Sequence, residues 1–340
     1  MTKPFRVIHV GLGPMGRLIA KLIIERPNLI LVGAVDIAPG LVGRSLQDIL
    51  AVSADPEVIV RSSLSEALEI GEIDIVVITT ASALPQVAPL IQESVLAQCN
   101  VISICEELAF PYRRYPDLSR QLSELAVTKG VTITGTGINP GYLMDVLPIV
   151  LAAPCQRVDK ISVTRMMNSG RRRTPFQRKI GTGLSTTEFD KKIRDHIITG
   201  HVGLEESIRL IASAMGIECD DVLEYPPEAI TATSEFTTSY GELVPEGYVC
   251  GLRSRATAKY NGREFINLEF VAYAGDHEEY DAVVIEGLPR IDQKIMGGVH
   301  GDLGTAAMVA NLIPRVVNAA PGIHTMKDLP IPSYTANIWR

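Results

Sequence analysis

The sequence predicts an α/β fold of two domains, the first built on a parallel sheet and the second on a mainly antiparallel sheet. The chain has 340 residues, and at about 100–200 residues per domain this length favours two domains. Over the first 140 residues, short runs that are apolar throughout alternate with segments of helical spacing. That alternation is typical of a parallel sheet covered on both faces. Longer strand-like runs follow, and within 266–272 apolar residues alternate with more polar ones, which indicates a sheet with one face more buried than the other.

The elements of the first domain follow from these patterns. Strands are predicted at 6–10, 29–35, 73–79, 100–104 and 131–134, and helices at 15–26, 85–98 and 118–129. Gly130 directly follows the last of these helices, as expected of a residue that ends a helix. We place this domain at residues 1–140.

The second domain is expected at residues 141–300. Strands are predicted at 158–166, 247–260, 264–274 and 280–287, with a single helix at 204–215 among them. The remaining segment, 301–340, contains a predicted helix at 302–317 with Asp302 as its N-cap. We expect this segment to return to the first domain.

Composition and charge exclude several classes of protein. Apolar residues make up 46% of the chain and charged residues 21%, and the net charge of −7 argues against a nucleic-acid-binding protein. The five cysteines show no C-x-x-C spacing, so we expect neither a disulfide framework nor a metal site. The first residues lack a signal-peptide layout, and no uncharged apolar run reaches the length of about 18 residues that a membrane span needs. We therefore expect a cytoplasmic protein that does not contact a membrane.

A glycine-rich motif, GLGPMG, follows the first predicted strand and opens the first helix. Gly11 permits a tight turn, Gly13 lets the backbone approach a pyrophosphate, and Gly16 allows the helix to pack closely on the strand. Asp36 ends the second strand about 20 residues later, where an acid contacts the adenosine ribose. Together these features predict a Rossmann-type, doubly wound domain that binds a dinucleotide. The candidate cofactor contacts in the turn are Gly11, Gly13, Pro14, Met15 and Gly16.

Small polar residues follow another predicted strand, in the run Thr79, Thr80, Ala81 and Ser82. At the carboxyl edge of a parallel sheet, the first three are candidate cofactor contacts. An equally good interpretation is a plain strand-to-helix turn capped by Ser82.

Two adjacent acids, Glu106 and Glu107, follow the next strand in the segment SICEELAFP. An α/β fold places catalytic groups at this edge of the sheet, and a buried glutamate there is a candidate proton acceptor. Neighbouring side chains on an extended chain point to opposite sides, so we expect one glutamate to be catalytic and the other structural, with Glu107 as the first candidate. The alternative is that both acids simply favour a helix start. Cys105 is interpreted as a small buried residue because no activating group is identifiable.

Two histidines are candidate substrate contacts. His201 precedes the predicted helix of the second domain, and His300 lies among glycines in GGVHGDLG. Structural hydrogen bonding is the more common role of a neutral histidine, so both roles stay open for each.

The chain resembles the 2,4-diaminopentanoate dehydrogenase family and the related native amine dehydrogenases. The resemblance rests on GLGPMG, VDIAPGLVG, CEEL, GTGINPGYLMD, RTPFQRKIGTG, TGHVGLEES and GDLGTAAMVANLIPRVVNAAPGIHTMKDLP, and it runs through nearly the whole chain. It implies a first domain shared with dihydrodipicolinate reductase, a homodimer, and NAD(H)- or NADP(H)-dependent oxidative deamination of a primary amine. The reverse reaction is reductive amination of a ketone or aldehyde with ammonia. The resemblance also implies that a glutamate of the CEE segment is the base, and we add Asn139 of GTGINPG as a candidate substrate contact.

Alternatives within and outside this enzyme class stay open. Sugar-oxidising relatives carry a lysine after the glutamate, whereas Glu107 and Leu108 stand here, which disfavours that chemistry. The remaining alternatives are a dihydrodipicolinate-type or imine reductase and a non-catalytic NAD(P)-binding sensor. Asp36 favours NAD(H) because it repels a 2′-phosphate, while Arg44 on the following loop leaves NADP(H) open.

Overall fold

Two compact units make up the chain in the computed structural model, which describes residues 3–53, 56–171, 174–238, 241–275 and 277–335. Unit 1 comprises Met1–Tyr142 and His300–Arg340, and unit 2 comprises Leu143–Val299. The strands, in chain order, are β1 (Phe5–Val10), β2 (Leu29–Val35), β3 (Val60–Arg61), β4 (Ile75–Ile78), β5 (Asn100–Ser103), β6 (Thr132–Gly135), β7 (Arg157–Asn168), β8 (Asp221–Glu224), β9 (Glu228–Thr231), β10 (Phe236–Thr237), β11 (Leu243–Val244), β12 (Val249–Tyr260), β13 (Arg263–Tyr273), β14 (Tyr280–Leu288), β15 (Ile291–Met296) and β16 (Gly322–His324). The helices are α1 (Pro14–Glu25), α2 (Leu46–Leu50), α3 (Leu64–Leu68), α4 (Leu84–Leu96), α5 (Pro116–Lys129), α6 (Val146–Ala152), α7 (Thr174–Lys179), α8 (Thr186–Arg194), α9 (Leu204–Ala214) and α10 (Gly301–Val317), with 3₁₀ segments at Glu106–Ala109 and Ser169–Arg171.

The sheet of unit 1 is parallel, and its strand order is β16-β6-β5-β4-β1-β2-β3. Strand addition changes direction between β1 and β4, so the loops that follow these two strands diverge and leave a crevice at the carboxyl edge. The predicted Rossmann-type, doubly wound sheet is confirmed. β16, from the last part of the chain, pairs with β6 at one edge.

The helices of unit 1 bury apolar faces against this sheet. In α1, Ile19 and Ile23 are buried, and Pro14 occupies the first turn, where its missing N–H costs nothing. α5 ends at Gly130, whose φ of 73° is the left-handed conformation that glycine adopts without strain. α10 packs against α1 and β5.

The start of α10 differs from the sequence prediction. Asp302 lies in the first turn, and the N-cap is His300, whose Nδ1 accepts a hydrogen bond from the Leu303 N–H at 3.4 Å. The prediction of Asp302 as N-cap is therefore wrong. The imidazole at 300 provides the acceptor that a cap needs, in extended backbone conformation (φ −64°, ψ 115°).

Unit 2 is built on a mixed sheet of order β15-β14-β7-β13-β12-β8, with β9 also paired to β12. Its described strand pairs are antiparallel except β7 with β13, which are parallel. This confirms a mainly antiparallel second sheet. Helices α6, α8 and α9 cover one face of it: α6 contacts β7 and β14, α9 contacts β12 and β13, and Phe189 of α8 packs with Phe270. The sequence pattern predicts one helix of this region, α9, and gives no signal for α6, α7 or α8 at the level of apolar spacing.

A buried ion pair fixes the last residue of unit 2. Arg165 on β7 and Asp281 on β14 are paired across the strands, and their side chains are 3% and 5% exposed. A guanidinium nitrogen of Arg165 lies 3.4 Å from the Asp281 carboxylate, and burial raises the pKa of that carboxyl while Arg165 opposes the shift. Both side chains also hold Val299: Arg165 donates to its carbonyl at 2.7 Å, and Asp281 accepts from its N–H at 2.7 Å. The pair therefore anchors the point where the chain leaves unit 2.

Among the described residues, the helices are all too short or too polar to cross a membrane.

Replacing one partner of this ion pair should lower the free energy of unfolding more than replacing both partners. Arg165→Met leaves the Asp281 carboxylate buried without its partner, so the free energy of unfolding should fall by about 3–5 kcal/mol. The double variant Arg165→Met, Asp281→Leu removes both charges and should be more stable than Arg165→Met alone. Urea unfolding of the wild type, both single variants and the double variant measures the difference. A double variant that is no more stable than the worse single variant would show that the two buried charges are not energetically coupled.

Candidate active site

The glycine-rich turn lies between β1 and α1, at the carboxyl edge of the unit 1 sheet. Gly11 has φ +96°, which favours glycine, and its N–H donates to the Val35 carbonyl at 2.8 Å. A Cβ on Gly16 would overlap the Gly11 carbonyl oxygen, so α1 approaches the turn as closely as two backbones allow. These are the two roles that the sequence predicted for the first and last glycines of the motif.

The outer side of the turn is open. Gly13 is exposed, and a Cβ added there would meet no atom within 4 Å. Gly13 is also the N-cap of α1, it offers no side-chain cap, and Pro14 beside it carries no N–H. The start of a 12-residue helix, with its partial positive charge, therefore faces a space that no side chain of the turn fills. These residues fit the pyrophosphate of a dinucleotide.

Asp36 is fixed at the end of β2 by two backbone donors. One carboxylate oxygen accepts from the Leu12 N–H at 2.6 Å, and the other accepts from the Ala38 N–H at 2.8 Å. The side chain is half-buried, and each oxygen keeps further acceptor capacity. Asp36 is thus tied to the glycine-rich turn in a position that suits the hydroxyls of a ribose. Arg44 is exposed on the following loop and contacts the Gly40 carbonyl at 3.4 Å.

Thr79, directly after β4, also binds the glycine-rich turn. Its hydroxyl lies 2.9 Å from the Gly11 carbonyl and 3.0 Å from the Val10 carbonyl. Thr80 is exposed and Ala81 is half-buried in the same loop. Ser82 does not cap α4: the N-cap is Ala83, which has no side-chain cap.

The two glutamates lie on a 3₁₀ segment that begins right after β5, not on an extended strand. In a 3₁₀ helix successive side chains turn by about 120°, so Glu106 and Glu107 still point in different directions. The segment is bonded to the loop after β4, because the Glu107 N–H donates to the Ser82 carbonyl at 3.3 Å and the Cys105 thiol lies 3.0 Å from the same oxygen. Burial raises the pKa of Cys105 to about 12, so the thiol stays protonated and is no nucleophile.

Glu107 is buried, at 8% exposure, and its carboxylate is engaged on both oxygens. One oxygen accepts from the Leu84 N–H at 2.8 Å and thus supplies the cap that α4 lacks. The other forms an ion pair with Arg114 at 2.9 Å. The Tyr115 hydroxyl also bonds this carboxylate, and burial together with this bond raises the pKa of Tyr115. Glu106 is half-buried and lies one residue closer to the end of β5.

The sequence pattern does not single out Arg114 or Tyr115 as site residues. Both stand in the polar segment PYRRYP, where nothing in the local pattern shows that they reach back to a carboxylate seven or eight residues earlier.

The candidate substrate contacts fall in both units. Asn139 follows the carboxyl end of β6, and the N–H of its neighbour Ile138 donates to the Thr305 hydroxyl at 3.2 Å. His300 caps α10, as described above. Both belong to unit 1, whereas His201 belongs to unit 2.

His201 lies on the covered face of the unit 2 sheet. The His201 ring stacks on Phe270 with a centroid distance of 4.4 Å, and the backbone N–H of His201 donates to the Ser254 hydroxyl at 3.0 Å. Burial lowers the pKa of His201 to about 3, and the positive charges of Arg165 and Lys179 add to that shift. The imidazole is therefore neutral at physiological pH. It does not cap α9, whose N-cap is Gly203.

In the part of the chain that the structure describes, histidine, cysteine and acidic side chains form no cluster of three that could hold a metal ion.

Comparison with known proteins supplies the family. The family model of the 2,4-diaminopentanoate dehydrogenase C-terminal domain matches residues 142–340. The 2,4-diaminopentanoate dehydrogenase of Acetoanaerobium sticklandii is 32% identical over 336 residues, covering 96% of this chain and 94% of that protein. The chain belongs to the 2,4-diaminopentanoate dehydrogenase family. The resemblance drawn from the sequence motifs is thereby confirmed.

More distant relatives of the family agree with this assignment. An amine dehydrogenase of Streptomyces virginiae is 24% identical, covering 94% of this chain and 95% of that protein. The structure of an amine dehydrogenase from Mycobacterium smegmatis superimposes with a TM-score of 0.84 at 23% identity, covering 98% of each chain, and shows the same fold. The predicted enzyme class, a nicotinamide-dependent amine dehydrogenase, is confirmed at the level of the family.

Proposed function

We propose that this enzyme catalyses the oxidative deamination of a primary amine with NAD(H) or NADP(H), and in reverse the reductive amination of a ketone or aldehyde with ammonia. One observation carries the proposal in a chain of this family. The dinucleotide-type turn at Gly11–Gly16 and the Glu106–Glu107 pair lie at one edge of one parallel sheet, joined through the loop after β4. Hydride acceptor and proton acceptor would then meet at that edge.

The cofactor would be held by residues of unit 1. The open turn at Gly13, with Pro14, Met15 and the start of α1, would hold the pyrophosphate, and Asp36 would accept from the ribose hydroxyls. The loop of Thr79, Thr80 and Ala81 would border the nicotinamide half. When bound, the nicotinamide ring supplies the redox chemistry by exchanging a hydride with the amine-bearing carbon.

We assign the base to Glu106. The carboxylate of Glu107 already accepts the Leu84 N–H and pairs with Arg114, so a proton placed on it would weaken both contacts. Glu107 would instead act as a positioning residue that fixes the start of α4 and the segment carrying Glu106. This reverses the order in which the sequence analysis ranked the two.

The proposed reaction balances with water and one proton acceptor. Loss of hydride from the amine carbon leaves an iminium ion on the substrate. Water then adds to that carbon while Glu106 takes its proton, and the resulting carbinolamine expels ammonia to leave the carbonyl. Overall, amine, water and oxidised cofactor give carbonyl compound, ammonia, reduced cofactor and one proton. In reverse, Glu106 orients ammonia on the carbonyl carbon.

The proposed substrate contacts come from both units, and the proposed subunit contacts come from unit 2. We propose that residues 1–140, with the returning segment 301–340, bind the cofactor and that residues 141–300 serve the substrate and the dimer. His201 would provide a neutral imidazole to the substrate. Asn139 and His300 remain proposed substrate contacts, the latter in addition to its role as helix cap.

The second face of the unit 2 sheet is the proposed homodimer surface. Its side chains come from alternate positions of β7, β13 and β14 and are half-covered in the protomer, as for Thr164 beside Ala282 and Glu269. Cross-strand ion pairs such as Arg253–Glu269 and Arg255–Glu264 give this face both signs of charge. A face with charges of both signs can pack against the same face of a second copy related by a two-fold axis, because opposite charges then lie across the interface.

The glutamate assignment predicts a sharp contrast between two single variants. Glu106→Gln should lower kcat for amine oxidation by roughly 10²–10⁴-fold with the cofactor Kd unchanged, because general base catalysis contributes on that scale. Glu107→Gln keeps an acceptor for the Leu84 N–H but loses the ion pair, so it should mainly lower stability. Steady-state kinetics with a panel of primary amines and, in reverse, of ketones plus ammonia are compared for each variant, together with cofactor titration and thermal unfolding. Near wild-type kcat in Glu106→Gln would refute the assignment, and turnover of dihydrodipicolinate in place of amination would identify a reductase.

Asp36 predicts the preference between the two cofactors. Asp36→Asn keeps a side-chain oxygen that can accept from a backbone N–H, but it removes the negative charge that repels a 2′-phosphate. Asp36→Ala removes the side-chain oxygens as well. Both should lower the ratio of kcat/KM for NAD(H) over NADP(H), by roughly 10- to 100-fold for the alanine, since hydrogen bonds to a charged group contribute about 1.5–3 kcal/mol. An unchanged ratio in both variants would remove Asp36 from ribose recognition.

The dimer proposal predicts a dimer mass in solution at micromolar concentration. Ala282→Arg places a charge on the proposed surface, beside Thr164, and should shift the protein towards the monomer. Thr128→Arg adds the same charge at an exposed position of α5 and should leave the mass unchanged. Light scattering coupled to size exclusion measures all three proteins, and a monomeric wild type would contradict the proposal.

A further inference from the structure

A fully buried histidine lies directly beneath the glycine-rich turn. His9 is the second-last residue of β1, and its side chain is 0% exposed between the neighbouring strands β2 and β4. A polar ring in the centre of a parallel sheet costs free energy unless it is hydrogen-bonded. Its Nε2 lies 3.0 Å from the Gly11 carbonyl oxygen, so the contact that compensates its burial is made to the turn itself.

Three strands hold one peptide group of that turn. The carbonyl of the Gly11–Leu12 peptide accepts from His9 of β1 at 3.0 Å and from Thr79 after β4 at 2.9 Å. The N–H of the same peptide donates to Asp36 at the end of β2 at 2.6 Å. Hydrogen bonds at both the carbonyl and the N–H therefore fix the plane of this peptide. The plane in turn fixes the direction in which the chain continues to Gly13 and α1.

The hydrogen bond to the Gly11 carbonyl fixes the protonation state of the His9 ring. The Gly11 carbonyl oxygen only accepts, and the Thr79 hydroxyl, 3.4 Å from the same nitrogen, directs its own proton to the carbonyls of the turn, so Nε2 carries the proton. Nδ1 is buried and has no hydrogen-bond partner among the described residues, so a second proton there would be a buried, unpaired charge. Burial accordingly lowers the pKa of His9 to about 4, against the opposing effects of the Gly11 bond and the negative charge of Asp36. At neutral pH the ring is a neutral donor with one defined tautomer.

We propose that His9 is a positioning residue for the cofactor: by donating its Nε2–H to the Gly11 carbonyl, it holds the glycine-rich turn in the form that receives the dinucleotide. This inference rests on the proposed function, because it needs unit 1 to bind a dinucleotide. His9 does not touch the cofactor. It acts through the Gly11–Leu12 peptide, which faces Asp36 on one side and the start of α1 on the other.

The same carbonyl also supports the helix. The oxygen that His9 holds is the atom that a Cβ on Gly16 would overlap, so α1 rests against it. If the peptide rotated, the first turn of α1 and the N–H that binds Asp36 would move together. Loss of the His9 donor should therefore weaken cofactor binding without changing the chemical step.

Two variants distinguish the effect of losing the hydrogen-bond donor from the effect of changing the volume of the side chain. His9→Leu fills the site without a donor, whereas the amide of His9→Gln reaches as Nε2 does and restores one. In His9→Leu we expect the Kd for NAD(H) or NADP(H) to rise by roughly three- to tenfold, the range of one net hydrogen bond, with kcat at saturating cofactor unchanged. His9→Gln should bind nearly as the wild type does. Fluorescence titration of the reduced cofactor and steady-state kinetics give both readouts.

The imidazole tautomer gives a second readout, independent of cofactor. Nitrogen-15 chemical shifts of His9 in the unliganded wild type should show a protonated Nε2 and an unprotonated Nδ1 across neutral pH. The opposite tautomer would overturn the proposal even if His9→Leu failed to fold. Equal cofactor Kd values for the wild type and His9→Leu, or for His9→Leu and His9→Gln, would also overturn it. A wild type that binds neither cofactor would instead refute the proposed function, with the tautomer still reporting on the bond to Gly11.

Discussion

The carbonyl oxygen of Gly11 is the point on which the geometry of unit 1 converges. It accepts hydrogen bonds from side chains of β1 and of the loop after β4, and the backbone of α1 lies against it at Gly16. Each of these contacts needs the carbonyl in one orientation, which the positive φ of Gly11 makes accessible. One backbone oxygen atom therefore fixes the positions of β1, α1 and the loop after β4 relative to one another. The N–H of the same peptide, which belongs to Leu12, binds Asp36 at the end of β2.

The contacts of the Glu107 carboxylate also fix the position of Glu106. Glu107 closes the start of α4 and pairs with Arg114, so the 3₁₀ segment after β5 is tied to the loop after β4 from inside the fold. Buried carboxylates are stable when every oxygen is paired, and both oxygens of Glu107 have a partner. Glu106, on the same 3₁₀ segment, is therefore carried on backbone that these contacts hold in place. Glu107 thus has a structural role in unit 1.

The fold was predictable from sequence where local pattern alone decides it. β2 coincides with the predicted strand at 29–35 because its residues are buried on both faces of the sheet. α8 was missed because Phe189 is its one buried residue, although the Ser185–Glu188 capping box was a usable signal. The parallel pairing of β7 with β13 joins segments about 100 residues apart, and no local pattern encodes a partner at that distance. The same holds for the site: the glycines and Asp36 follow from spacing, whereas the contacts of His9 and Glu107 depend on tertiary neighbours.

The edge strand β16 has a consequence for the order in which the chain acquires structure. Unit 1 is discontinuous, since α10 and β16 come from residues beyond 300 while unit 2 is one uninterrupted segment. During synthesis from the ribosome, unit 2 has its whole sequence available before the sheet of unit 1 can be completed. The surface of β5, β6 and α1 that α10 covers stays exposed to solvent until then. A nascent chain halted before residue 300 would carry that apolar surface uncovered, which makes it a substrate for chaperones rather than a cofactor-binding protein.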